Sequence, residues 1–303
     1  MKVINGVSFL SIGKTQESTD AQEFKRYVGV ASSNVLAVNP TKEKLDELRG
    51  FESQNEPEYI KDGENGKEAH INFIVKTVPD ANNGIEIVNT LMFTLRATPA
   101  YNKDQTRVQV IDSYGNSTWA NTEDAKAGKK LLSQEGNELK IDSAYRMACV
   151  GEADLVSFLK KYLGVPDAFD YVNGSWVKGP KAEDGKFALE HIKDYFKGDF
   201  SELREAIALQ PNNKIKLLYG VRTTEDNKQY QVIASREKLI LPNYAGSKSL
   251  TKLETELANI KANGGYPTTE FKVQELQEYT VNATDVNALG ETSTTDDDEV
   301  MPW

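Results

Sequence analysis

"INFIVKTV" (residues 71–78) and "IEIVNTLMFTLRA" (residues 85–97) alternate apolar and polar side chains. In the first, Ile71, Phe73 and Val75 share one face and Asn72 and Lys76 the other. In the second, Ile85, Ile87, Leu91, Phe93 and Leu95 fall on one side and Glu86, Thr90, Thr94 and Arg96 on the opposite one. A period of two marks strands with a single buried face. Between the runs "DANNG" (residues 80–84) supplies Asn83-Gly84, a pair suited to a tight hairpin turn. A long antiparallel hairpin follows, wet on one side. "TRVQVID" (residues 106–112) repeats the alternation, with Arg107 and Gln109 against Val108 and Val110, and is expected to add a third strand to it.

The flanks supply the other elements. "YVGVASSNVLAVNP" (27–40) reads as a strand, and "TKEKLDELRG" (41–50) as a short helix capped by Thr41 and closed by Gly50. "EPEYIKDGENGKEAH" (56–70) reads as an exposed loop. Helices are expected at "TEDAKAGKKLL" (122–132), "GEADLVSFLKKYLGVP" (151–166), "KFALEHIKDYF" (186–196) and "SELREAIAL" (201–209). Strands return at "NKIKLLYGVRT" (213–223) and "KQYQVIAS" (228–235), then a helix at 249–265 and a final strand ending at Val281. This order suits an α+β chain built on an OB-like antiparallel Greek-key barrel, with a helical insertion over about 122–210. A sandwich or a split sheet accommodates the same order. The expected organisation is a mixed N-terminal segment to residue 60, a core over 61–282 and a disordered acidic tail over 283–303.

With 303 residues, 39% of them hydrophobic, the chain can bury a sizeable core. No apolar run reaches membrane-spanning length and the start lacks the features of a secretory signal, so the expectation is an intracellular protein. One cysteine, Cys149, and two isolated histidines, His70 and His191, give neither a disulfide nor a metal cluster, and no cofactor is expected.

Charge is unevenly distributed. The net charge is −10, yet no Lys or Arg follows Lys272, while eight acids do. Residues 213–250 carry seven cations against three acids. A basic surface and an acidic tail on one chain are implied. The alternation puts Lys214, Lys216 and Arg222 opposite Ile215, Leu217, Tyr219 and Val221, and with Lys76, Arg96 and Arg107 these form a candidate cationic sheet face; Arg236 and Lys238 extend it. Tyr101, Tyr114, Trp119 and Tyr244 lie in turn-like segments from which rings can project. A basic groove with aromatic rings is how single strands are held, although a wet sheet face also carries Lys and Arg simply to stay in solution.

The chain ends "DDDEVMPW": Asp296, Asp297, Asp298 and Glu299, then Val300, Met301, Pro302 and Trp303. An aromatic residue after a polar, acidic segment is available to a partner's pocket. This terminus resembles the acidic tip of bacterial single-stranded DNA-binding proteins, with Trp303 where that family has Phe and an added Val-Met pair. "YVGVASSNVLAVNPTKEKLDEL", "DSYGNSTWA" and "AYRMACVGEADLVSFLKKYL" resemble a protein of large tailed bacteriophages, including the crAss-like group, over much of residues 25–235. The resemblance implies an OB-like barrel, single-stranded DNA as partner and no enzymatic activity.

No nucleotide-binding loop, nucleophile elbow or metalloprotease motif is present; "GVSFLSIGKT" has Gly13-Lys14-Thr15 without the spaced upstream glycine. Asp142, Glu152 and Asp154 flank a helix start, where acids usually serve as caps. Cys149, in "YRMACV", is expected to be inert. The expected function is sequence-nonspecific single-stranded DNA binding in phage replication or recombination, in the cytoplasm of the infected host. The tail residues Asp296–Glu299, Met301, Pro302 and Trp303 would recruit replication or recombination proteins, and self-association stays open. A virion or assembly protein using the tail as a docking peptide is the alternative.

Overall fold

The structure, a computed structural model, describes residues 26–64, 66–78, 86–133, 136–223, 229–233, 240–242 and 279–281. The Asn83-Gly84 turn, Arg236, Lys238, Tyr244, the helix expected at 249–265 and the 283–303 tail lie outside them. The fold is α+β with antiparallel sheets, and it divides into two units. One draws on residues up to Pro57, Phe73–Leu91 and Pro211 onward, the other on Glu58–Asn72 and Met92–Gln210.

In the first unit β1 (Arg26–Val38) is central. On one side it pairs with β11 (Ile215–Thr223), from Gly29↔Tyr219 to Ser33↔Ile215, and on the other with β3 (Gly66–Thr77), from Ser33↔Thr77 to Val38↔Phe73. β12 (Gln229–Ile233) and β13 (Ile240–Pro242) pair with β11, and β14 (Tyr279–Val281) with β1. Register puts Ala31, Ser33 and Val35 beside Leu217, Ile215 and Val75, all buried, as the period of two requires. The polar groups on this face are satisfied: the Ser33 and Tyr219 hydroxyls are 2.7 Å apart, and the Thr77 hydroxyl accepts the Ile87 N–H at 2.7 Å.

The opposite face is not wholly wet. A register shift between Val35 and Ala37 brings Ala37 beside Ile74. Over them lies α1 (Lys42–Arg49), whose Leu45 and Leu48 pack on Ile74, Val88 and Ala37. Thr41 and Gly50 cap this helix as expected; the Thr41 hydroxyl accepts the Lys44 N–H, and the Gly50 N–H donates to the Asp46 carbonyl.

In the second unit the expected exposed loop is a hairpin, with β2 (Ile60–Gly63) paired to β3 from Ile60↔Ala69 to Gly63↔Gly66. β4 (Val88–Pro99), whose first residues to Leu91 belong to the first unit, pairs with β8 (Cys149–Val150); Leu91, Phe93 and Leu95 are buried, as is Ile87 just before the strand, as expected from their spacing. The expected third strand goes elsewhere. β5 (Arg107–Asp112) lies between β6 (Ser117–Asn121) and β7 (Tyr145–Met147) in a sheet of its own. That sheet has its own core of Val108, Val110, Ala120, Ala125 and Leu131.

The region expected to be helical, 122–210, holds α2 (Thr122–Lys126), α3 (Glu152–Leu163), α4 (Ile192–Tyr195) and α5 (Ser201–Ala208), but β7, β8 and a further hairpin as well. Only α3 and α5 have the expected extent. α3 buries Leu155, Val156, Phe158, Leu159 and Tyr162, with Phe158 5.2 Å from Phe93, and ends on a left-handed Gly164. The hydrogen-bonded order β12-β11-β1-β3-β4-β8 is an open path, so the expected barrel is not closed among the described residues. None of their helices is long and apolar enough to cross a membrane.

Candidate nucleic-acid interface

β5 and β6 pair in the order Arg107↔Asn121, Val108↔Ala120, Gln109↔Trp119, Val110↔Thr118. Val108, Val110 and Ala120 fill the core beneath, so the pleat leaves Arg107, Gln109, Trp119 and Asn121 on the outer face. Trp119 is 38% exposed, a large share for an indole in a strand. Its carbonyl accepts a hydrogen bond from Arg107 Nη2 at 2.7 Å, leaving most of the five guanidinium donors for another acceptor. A polar turn sets the arginine's backbone. The Arg107 N–H donates to Asn102 Oδ1 at 2.8 Å, and Asp104 accepts the Thr106 hydroxyl at 2.7 Å. The Thr106 hydroxyl and then its N–H hold the Asp104 carboxyl below its ordinary range. The result is a solvated sheet face with an indole, a guanidinium and an amide side by side.

Few of the other residues expected to bind join this group. Tyr114 is 3% exposed, its ring edge-on to Phe169 at 5.3 Å and covered by Lys178 Nζ at 5.1 Å, so it cannot stack on a base. The cause is local: Asp112 Oδ1 accepts the Tyr114 and Asn116 N–H groups, both at 2.9 Å, and this turn carries the ring inward. Tyr101 packs against the core around Val108. Arg96 donates to Glu68 Oε1 at 2.7 Å. Lys76, in the other unit, lies 2.7 Å from Glu86 Oε2 and directly opposite Asn34. Lys214 is exposed immediately before β11; residue 216 is opposite Ser32 and residue 222 opposite Tyr230. Lys76, Arg96, Lys216 and Arg222 lie on strands of one hydrogen-bonded sheet, with Lys214 immediately before β11, whereas Arg107 lies on the separate three-stranded sheet. Arg236, Lys238, Tyr244 and the tail residues lie outside the described residues.

One feature went unread in the sequence. β9 (Phe169–Val172) and β10 (Ser175–Lys178) form a hairpin that pairs Tyr171 with Trp176, their ring centroids 4.9 Å apart. Its turn is Asn173-Gly174, with φ of 49° and 82°. The signal was present in "YVNGSWV", where Asn-Gly sits between alternating apolar residues.

The acids near α3 are structural. Glu152, 0% exposed, is gripped by both terminal nitrogens of Arg146 and accepts the Cys149 N–H at 3.0 Å. Burial, then the Glu152 carboxylate, pushes the Cys149 thiol up to about 12. Asp142 lies 3.2 Å from Lys178 Nζ. Among the described residues no three His, Cys, Asp or Glu side chains are grouped to hold a metal ion.

No protein-family profile, curated protein or solved structure matches this chain.

Proposed function

We propose that this protein binds single-stranded DNA without sequence preference during phage DNA replication or recombination, in the cytoplasm of the infected host, and that its acidic terminus recruits partner proteins. The observation that carries the proposal is Trp119, exposed on a solvated sheet face beside Arg107 and Gln109. Every base has a π-face, so an indole accepts any of them, while a guanidinium holds phosphate without reading sequence. An OB-like arrangement stays part of the proposal, and antiparallel pairing is compatible with it; binding does not require closure, because an open face offers the same platform. Lys76, Lys214, Lys216 and Arg222 belong to the proposal as candidates for phosphate contact read from the sequence. No catalytic step is part of the proposal.

The test is the anisotropy of a labelled oligo-dT titrated with the full chain at two ionic strengths. Affinity is expected to fall with salt at a log-log slope of about −0.7 for each phosphate contacted. Trp119→Ala should weaken binding by about 1 to 3 kcal/mol. A full chain that fails to bind at low salt, or a Trp119→Ala variant indistinguishable from it, would overturn the proposal. The rival reading, a virion or assembly protein, draws support from the exposed pair Val172 and Val177, which are 47% and 43% exposed. Capture of the chain with virion proteins, without oligonucleotide binding, would favour it.

A further inference from the structure

We infer that the β9–β10 hairpin is a second stacking element, a rigid finger that takes an unpaired base of the same strand; this rests on the reading proposed above. The finger is fixed at its base. The Gly179 N–H donates to the Ala168 carbonyl at 2.9 Å, and Phe169 is buried against the Tyr114 ring at 5.3 Å. Lys178 Nζ sits over Tyr114, 3.2 Å from Asp142 Oδ2; Lys140 Nζ sits 5.1 Å from the Trp176 ring centroid and pairs with Asp167. The turn is fixed too, because positive φ at both Asn173 and Gly174 matches the twist of a two-residue hairpin.

Tyr171 projects from this scaffold. It is 58% exposed, with its ring tilted 55° to that of Trp176, a side chain held in place yet largely uncovered. The next pair on the same face is Phe169 with Lys178; Phe169 is buried and Lys178 exposed, so the exposed part of that face is aromatic and bordered by ammonium groups. Both lysines are matched by carboxylates, which leaves the finger with little net charge. Its contribution is therefore stacking, not phosphate attraction. That sets it apart from Arg107, whose contribution screens with salt.

Tyr171→Ala, Tyr171→Phe and Arg107→Ala separate the contacts made to the strand. Each is titrated into oligo-dT and into an abasic strand of the same length, at two ionic strengths. Tyr171→Ala should weaken oligo-dT binding about 5- to 150-fold, by the same factor at both salts, and leave the abasic strand unaffected. Tyr171→Phe should retain the affinity, and Arg107→Ala should lower the salt slope on both strands. Tyr171 is exposed, so a melting curve matching that of the parent is expected for both of its variants. If Tyr171→Ala binds oligo-dT as tightly as the parent while Arg107→Ala does not, the finger is off the strand and the inference fails alone. A parent that binds neither strand overturns this inference together with the proposed function. If Val172→Ser with Val177→Ser abolishes a self-association measured by sedimentation, and Tyr171→Ala leaves strand binding intact, the hairpin is a protein contact and the inference is wrong.

Discussion

Tyr114, within the turn between β5 and β6, and Trp119, five positions further on in β6, have opposite fates. The Asp112 carboxylate gathers the turn's N–H groups and draws Tyr114 into the interior, whereas the ladder opposite Gln109 leaves Trp119 on the outer face. Cys149 is a third case, one in which the surroundings set the chemistry. Its thiol is raised to about 12 by burial and by the adjacent Glu152, against about 8.5 for a free thiol. A thiol whose neutral form is favoured on folding contributes stability that is complete below its unfolded value. That contribution is lost as pH rises from about 8.5 towards about 12. Thiolate absorbance of the folded protein should stay flat through pH 9 to 10 and rise on unfolding, while a step near 8.5 in the folded state would show a solvated thiol.

Helix α3 depends on what precedes it. Gly151 has φ of +82°, and a Cβ there would lie 2.1 Å from the Thr94 carbonyl oxygen of β4. Only glycine permits both the left-handed conformation and the close approach. Gly151→Ala should lower stability by about 2 to 3 kcal/mol, read as a shifted urea midpoint with unchanged slope. An unshifted midpoint would mean that the strand and helix separate without cost. The β9–β10 hairpin is different in kind, since its form is set by two residues of its own turn and its role by the rings it carries. α1 combines the two: its caps are local, but its burial of Leu45 required Ile74 and Val88 from distant strands.

Net charge acts across the whole chain. Removing Asp296–Trp303 deletes four acids and takes the net charge from −10 to −6. If the terminus competes with DNA for cations, the shortened protein should bind oligo-dT more tightly at low salt. The difference should vanish near 1 M salt, where the screening length falls to about 3 Å. Capture of partner proteins should be lost in the same deletion. Equal affinities at low salt would remove the terminus from any role in the groove.

Which side chains share a face was legible from the residues, because alternation is a property of the backbone and needs no partner: Phe73 with Val75, Leu91 with Phe93, Ile215 with Leu217 are all buried together. The ends of α1 and α3 were legible for the same reason, since Thr41, Gly50 and Gly164 act on the chain within one turn. Which strands became neighbours was not. β5 has the same Arg-Val-Gln-Val alternation whichever sheet receives it, and only the core formed with Ala120, Ala125 and Leu131 decided that it would leave the hairpin it follows. The same choice put Arg107 on a different sheet from Lys76 and set it beside Trp119. Local periodicity thus determined the faces, and tertiary packing alone decided which faces meet, because pairing is selected by the apolar surface that distant segments can bury together.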